Sequence, residues 1–159
     1  MPSELSGIRM AFLGHARAQL GKPCLWGAKG PNEFDCSGLV THCLLLCGAP
    51  DMRGMWRAQR LYDETPIVLM DEFKPGDLAF YGNASKGIIH VAIMAGVGMG
   101  VISASGATPA ITRLEDAKRN GCDVRIHSKP RYRPDFIEIH SNKYLDDLEA
   151  PRGSKQNTP

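Results

Sequence analysis

Apolar residues recur every three or four positions at the start of the chain, at Leu5, Ile8, Phe12, Ala16 and Leu20. That spacing predicts an amphipathic helix, closed by Gly21 and Pro23. The stretch from Gly21 to Asn32 is rich in Gly and Pro, carries Trp26, and reads as a loop. From Cys36 to Cys47 apolar residues run nearly all the way round, the pattern of a helix enclosed by its neighbours. Asp35 is a favourable N-cap for it and Gly48 a favourable residue just past its end. Asp51 to Asp63, with Trp56, reads as a weak helix or irregular crossing, and Ile67 to Met70 as a short strand. Beyond the turn Lys74-Pro75-Gly76-Asp77 the period changes to two. Strands are predicted over Leu78–Tyr81, Ile88–Ala95, Val101–Ala104, Val124–Ser128 and Phe136–His140. Thr112 with Glu115 resembles a capping box for a short helix ending near Gly121. Gly96-Val97-Gly98-Met99-Gly100 lies between two strands and opens no helix, so it is read as a hairpin turn and not as a phosphate loop. Helices first and strands after predict an α+β fold with an antiparallel sheet.

Length changes this picture little: 159 residues, 43% hydrophobic, suit one domain over 1–149 with a disordered polar tail over 150–159. Such a chain buries about 70% of its unfolded surface without covalent staples. Nineteen basic and 17 acidic residues leave a net charge of +2, too small to imply a nucleic-acid partner. Five cysteines is an odd number and no Cys-x-x-Cys pair occurs, so neither a disulfide framework nor a metal site is expected. Cys43 and Cys47 are read as core filler. No apolar run approaches the roughly eighteen residues of a membrane span, and no secretory signal is visible, so synthesis in the cytoplasm is expected.

The candidate chemistry lies in Asp35-Cys36-Ser37-Gly38. Cys36 falls in the first helical turn, where the helix end favours an anion. A shift of its pKa from about 8.5 to about 6.5 would make roughly three quarters of it thiolate at pH 7. Ser37 and Gly38 are small, leaving room for a substrate carbonyl. A buried core cysteine is the competing reading, and this stretch alone leaves both open.

A thiol nucleophile needs an imidazole. His42 lies six residues on along the same helix and points elsewhere; His15 sits on a polar face; His127 and His140 default to solvated roles. His90 interrupts the apolar strand Ile88-Ile89-His90-Val91-Ala92-Ile93, where a buried ring must find partners for its nitrogens. The small Ala92 beside it leaves room for a helix end. A satisfied core histidine remains the alternative.

Together Asp35-Cys36-Ser37-Gly38-Leu39-Val40, Lys74-Pro75-Gly76-Asp77-Leu78-Ala79-Phe80-Tyr81 and His90-Val91-Ala92-Ile93 resemble the NlpC-type cell-wall endopeptidases, papain-like cysteine peptidases of bacteria and phages. The likeness reaches back to Leu20-Gly21-Lys22-Pro23 and Trp26-Gly27, covering roughly residues 5–105. It implies a papain-like arrangement, with N-terminal helices, one carrying the nucleophile, packed on an antiparallel sheet. Cys36 is then the nucleophile and His90 the general base and acid. Substrate contacts are expected at Cys24, Trp26, Asp35 and Ser37. The implied substrate is the peptidoglycan stem peptide, cut between D-glutamate and a diamino acid by a monomer without cofactor. Delivery by a phage or a secretion machine would bring it to the wall. A cytoplasmic amidase or acyltransferase and an inactive wall-binding module are the alternatives.

Two departures stand out. Where the family has a tyrosine in a Pro-Tyr-x-Trp-Gly run, this chain has Cys24 between Pro23 and Leu25. Losing one oxyanion donor typically costs on the order of 10²–10³ in turnover. A second oxyanion donor, beside the Cys36 N–H, is expected from the Gly21–Trp26 loop. The family's third polar residue aligns with Ser103, with Ser105 as alternative. A two-residue turn at Val97-Gly98 would set Ser103 opposite Ala92 and Ser105 opposite His90, both on the His90 face. Finally, Arg125, His127, Lys129, Arg131 and Arg133 share parity. An extended chain would align them as a solubilising edge or a cationic ledge for anionic wall polymer, with Pro130 suited to an edge strand.

Overall fold

The computed structural model describes residues 5–54, 57–96 and 98–150. The first predicted helix forms as α1 (Gly7–Ala18), capped by the Ser6 side chain, which accepts from the Arg9 N–H. The second, α2 (Cys36–Leu46), begins at the thiol itself: Asp35 is extended, and its carboxylate accepts from the Gly38 N–H at 2.6 Å. Gly48 follows with φ of 99°, as expected past a helix end. Only Ala58–Glu64 of the weak segment is helical (α3), while Trp56 lies outside the described residues. At Ile67–Met70 the strand shortens to β1 (Ile67–Val68), with Ile67, Leu69 and Met70 exposed.

The remaining strands fall where the period-two pattern puts them: β2 (Leu78–Asn83), β3 (Gly87–Met94), β4 (Val101–Ser105), β5 (Asp123–His127) and β6 (Phe136–His140). They make a six-stranded antiparallel sheet in the order β1-β6-β2-β3-β4-β5. The short helix α4 (Leu114–Asn120) ends on left-handed Gly121, but its N-cap is Arg113 and no side chain caps it. Thr112 precedes the cap by one residue, so the predicted capping box does not form. Helix α5 (Lys143–Glu149), which the hydrophobic pattern does not announce, closes the chain against α1.

Strand alternation divides the core in two. Leu78, Phe80, Val91, Ile93, Ile102 and Val124 face the helices with Phe12, Leu39, Val40, Cys43 and Leu44. Ala79, Tyr81, Ala92, Met94, Val101 and Ile139 line the other face, covered by Tyr132 and Phe136. Cys43 is thus core, as expected. A buried charge cluster joins the ends of the chain. The Arg9 guanidinium, 2% exposed, binds Asp77 at 2.9 Å, Asp146 at 2.8 Å and the Pro75 carbonyl at 2.9 Å. Asp77 also accepts from the N–H groups of Asn142 and Lys74. Ser6 donates to Glu149, so α1 and α5 meet at their outer ends.

The β3–β4 pairing matters most for the site. Ile93 lies opposite Ile102 and Met94 opposite Val101, the register predicted from a turn at Val97-Gly98. Val97 itself lies outside the described residues. Continued, that register aligns Ser103 with Ala92 and Ser105 with His90, but the ladder stops at Ile93. Meanwhile β4 goes on pairing with β5 as far as Ser105. The two strands therefore splay, opening a gap in the sheet beside Val91.

Candidate active site

Helix α2 lies across β3 and β4 and brings its first residue to this gap. The Val91 N–H, left without a β4 partner, donates to the Cys36 sulfur, as does the Ser37 N–H. The sulfur thus sits against the main chain of the residue following His90. Gly38 is required at the third helical position. A Cβ there would lie 2.3 Å from the Ala28 carbonyl oxygen and 2.8 Å from an Asp35 carboxylate oxygen. Its smallness is required by this close backbone approach, and Ser37 is buried.

His90, 5% exposed, belongs to the face carrying Ala92 and Met94 and packs edge-on against Tyr81, with ring centroids 5.2 Å apart. Its Nε2 lies 2.8 Å from the hydroxyl of Tyr132. Tyr132 ends a 3-10 turn, Pro130–Tyr132, that follows β5 and folds back over the sheet. Its hydroxyl also meets Ser103 Oγ at 3.2 Å; Ser103 meets Ser105 at 2.6 Å, and Ser105 meets His127 Nε2 at 3.3 Å. The His127 ring stacks on Tyr132 with centroids 3.6 Å apart and planes 2° off parallel. Ser103 and Ser105 thus lie on the His90 side, as the register predicted, and Ser103 reaches the imidazole through Tyr132. Nothing in the sequence pattern singles out Tyr132. It lies 42 residues from His90, in a segment whose parity reads as extended.

The resting charges differ from expectation. Burial, reinforced by the neighbouring Asp35 carboxylate, pushes the Cys36 thiol up to about 11, outweighing the two N–H donors and Lys29. Burial, with the Arg133 guanidinium and the nearby His127 ring, pushes His90 down to about 3. Desolvation of the sulfur opposes the helix end, and burial favours the neutral form of both groups.

The other anticipated contacts are distributed unevenly. Asp35 and Ser37 are both tied to the Lys29 ammonium, at 2.9 Å and 3.1 Å. Trp26 is 55% exposed, whereas Cys24 is 2% exposed and accepts from the Ala107 N–H. The loop expected to give a second oxyanion donor has none in its backbone. The N–H groups of Gly21, Lys22, Cys24, Leu25 and Trp26 go to Val124, Gln19, Cys122, Phe34 and Ile111, and Pro23 has none.

His42 packs on Phe34 at 5.2 Å, away from the thiol. His140 is not solvated. It is 2% exposed, held between Thr65 at 3.0 Å and Glu138 at 2.9 Å, because β6 lies inside the sheet. The same-parity cationic face also dissolves. The 3-10 turn breaks the extended run, Arg125 pairs with Asp123, and Arg133 pairs with Asp135 while lying over Tyr81. β5 is an edge strand, but Pro130 is buried in the turn beyond it. Among the described residues no group of three or more His, Cys, Asp or Glu is placed to hold a metal ion, and no helix is long and apolar enough to cross a membrane.

Residues 21–127 match the NlpC/P60 family. Over 118 residues the chain is 38% identical to a probable endopeptidase p60 of Listeria grayi, a match covering 74% of this chain and 20% of that protein. The chain thus spans about a fifth of the length of this relative. The NlpC/p60 domain of the peptidoglycan hydrolase SagA superposes with a TM-score of 0.63 at 28% identity, over 84% of this chain and 97% of that one. RipD of Mycobacterium tuberculosis, described as a non-catalytic NlpC/p60 domain protein adapted to peptidoglycan binding, shares the fold at a TM-score of 0.58 and 18% identity, over 87% of this chain and 98% of its own. With a cysteine heading the central helix and a histidine on the strand beside it, the chain belongs to the NlpC/P60 family.

Proposed function

We propose that the chain is a cysteine endopeptidase acting on peptidoglycan stem peptides at the cell wall, with the D-glutamyl–diamino acid amide as the scissile bond. The observation that carries this reading is the placement of Cys36 in the β3–β4 gap, against the main chain next to His90. From a neutral pair, attack and proton transfer proceed together. The sulfur adds to the carbonyl carbon as His90 takes the thiol proton. The Cys36 N–H, in the first turn of α2, stabilises the oxyanion. The imidazolium then protonates the leaving amine, and water, deprotonated by His90, releases the acyl group from sulfur. Burial pushes the thiol up and the imidazole down, which favours the neutral form of each group before attack.

The test is digestion of purified sacculi of known chemotype with wild type and Cys36→Ala, followed by mass spectrometry of the released fragments. New termini at D-glutamate and the diamino acid, absent with Cys36→Ala, are expected. Undiminished release by Cys36→Ala would remove the scheme. Acyl transfer to an amine in place of water is the second reading, favoured by a buried Cys24 where the family tyrosine would offer a hydroxyl. It would appear as fragments carrying the added amine.

A further inference from the structure

The hydrogen bonds around His90 form an unbroken chain, through which donation can run either from His90 to His127 or the reverse. His90 Nε2 lies 2.8 Å from the Tyr132 hydroxyl, which lies 3.2 Å from Ser103; Ser103 lies 2.6 Å from Ser105, and Ser105 lies 3.3 Å from His127 Nε2. Each hydroxyl carries one proton and can donate once along the chain while accepting once. If His90 Nε2 is the donor at one end, Tyr132, Ser103 and Ser105 donate in turn, and neutral His127 Nε2 is the terminal acceptor. Every proton in the chain then has an acceptor. The Tyr132 hydroxyl cannot drift from this position, because its ring is clamped face to face by His127 and lies against Tyr81 at 5.6 Å.

We propose that Tyr132 is the positioning residue of His90, and that the Tyr132–Ser103–Ser105–His127 chain holds the imidazole in the tautomer with its proton on Nε2. This rests on the Cys36–His90 reading above and deepens it. With Nε2–H committed to Tyr132, Nδ1 carries the lone pair and takes the thiol proton; the opposite tautomer could not act as base through that nitrogen. Serines in place of a charged third group suffice, because their task is to pass on hydrogen-bond direction and a neutral tyrosine completes it. The neutral state of a desolvated imidazole makes the choice of tautomer consequential, since no second proton is present to blur it.

Nitrogen-15 NMR of the histidine ring at neutral pH tests this, using wild type, Tyr132→Phe and Cys36→Ala. Tyr132→Phe keeps the ring, its stack and its contact with Tyr81, and removes only the hydroxyl. The expected wild-type signal for His90 is the Nε2–H tautomer. In Tyr132→Phe that population falls and kcat on stem peptides drops about 10–100-fold, the usual cost of losing a group that orients a reactive histidine, while KM and Tm hold. An Nδ1–H tautomer in wild type overturns the proposal. So does a Tyr132→Phe variant whose tautomer and kcat are unchanged, or one that loses Tm and kcat together while the tautomer stays. Should Tyr132→Phe not fold, the wild-type spectrum alone decides. Cys36→Ala separates the two claims, since full activity in it would sink the nucleophile assignment while its His90 spectrum still reports the tautomer.

Discussion

Lys29 and Asp35 form an ion pair of 2.9 Å at the head of α2, and their charges act in opposite directions on the thiol of the next residue. The Asp35 carboxylate raises the pKa of Cys36 and the Lys29 ammonium lowers it. Asp35→Asn keeps an oxygen to cap the Gly38 N–H while removing the negative charge. Alkylation of Cys36 by iodoacetamide, followed against pH, should therefore move to lower pH in Asp35→Asn and to higher pH in Lys29→Met. At pH 8, well below a thiol pKa of about 11, the thiolate is scarce, and its amount and the alkylation rate rise about tenfold for each whole number by which the pKa falls. The reverse order of rates would show that the pair does not govern the sulfur.

The burial of His90 has a thermodynamic consequence. Its pKa falls from an ordinary 6.5 to about 3 in the folded chain, so below pH 6.5 the unfolded chain binds a proton that the folded chain refuses. This stability is present above the unfolded pKa and is lost as the pH falls from about 6.5 towards 3. The loss approaches about 1.4 kcal/mol per pH unit for one such group. Urea denaturation across that range should show the wild-type stability falling more steeply than that of His90→Gln. Parallel slopes would mean that the imidazole is already charged in the folded state.

The Arg9 cluster predicts a different asymmetry. Removing a partner from a buried ion pair strands the other charge, which typically costs about 3–5 kcal/mol. Asp77→Ala should lose that much in urea denaturation, because it also frees the N–H groups of Asn142 and Lys74. Asp146→Ala should cost less, since Asp146 is 42% exposed at its side chain. Equal losses from the two variants would contradict this asymmetry.

Much of this arrangement is legible in local sequence because local physics sets it. Asp35 caps α2, Gly48 follows it, and the alternation of apolar residues marks each long strand; even the β3–β4 register follows from turn length. Cys36 stands out by its place in the first helical turn after the Asp35 cap, and His90 because it breaks the apolar pattern around it. What escapes is set by contacts distant in sequence. Tyr132 lies beside His90 only because Pro130 starts a 3-10 turn, where parity alone implies an extended chain. His140 is buried because β6 inserts between β1 and β2, a matter of strand order that no periodicity encodes. The elevated thiol pKa reflects how deeply α2 docks, whereas a helix end considered alone favours the anion.

The clasp between the first and last helices has an architectural corollary. With Ser6 against Glu149 and Arg9 against Asp146, the entry and exit of the fold emerge side by side. A short linker joining residues 5 and 150 would leave all six strands in place, and new ends could be opened at the exposed Asn83–Lys86 hairpin. The same adjacency lets such a unit be spliced into a larger polypeptide as a lateral outgrowth, both connections sharing one doorway.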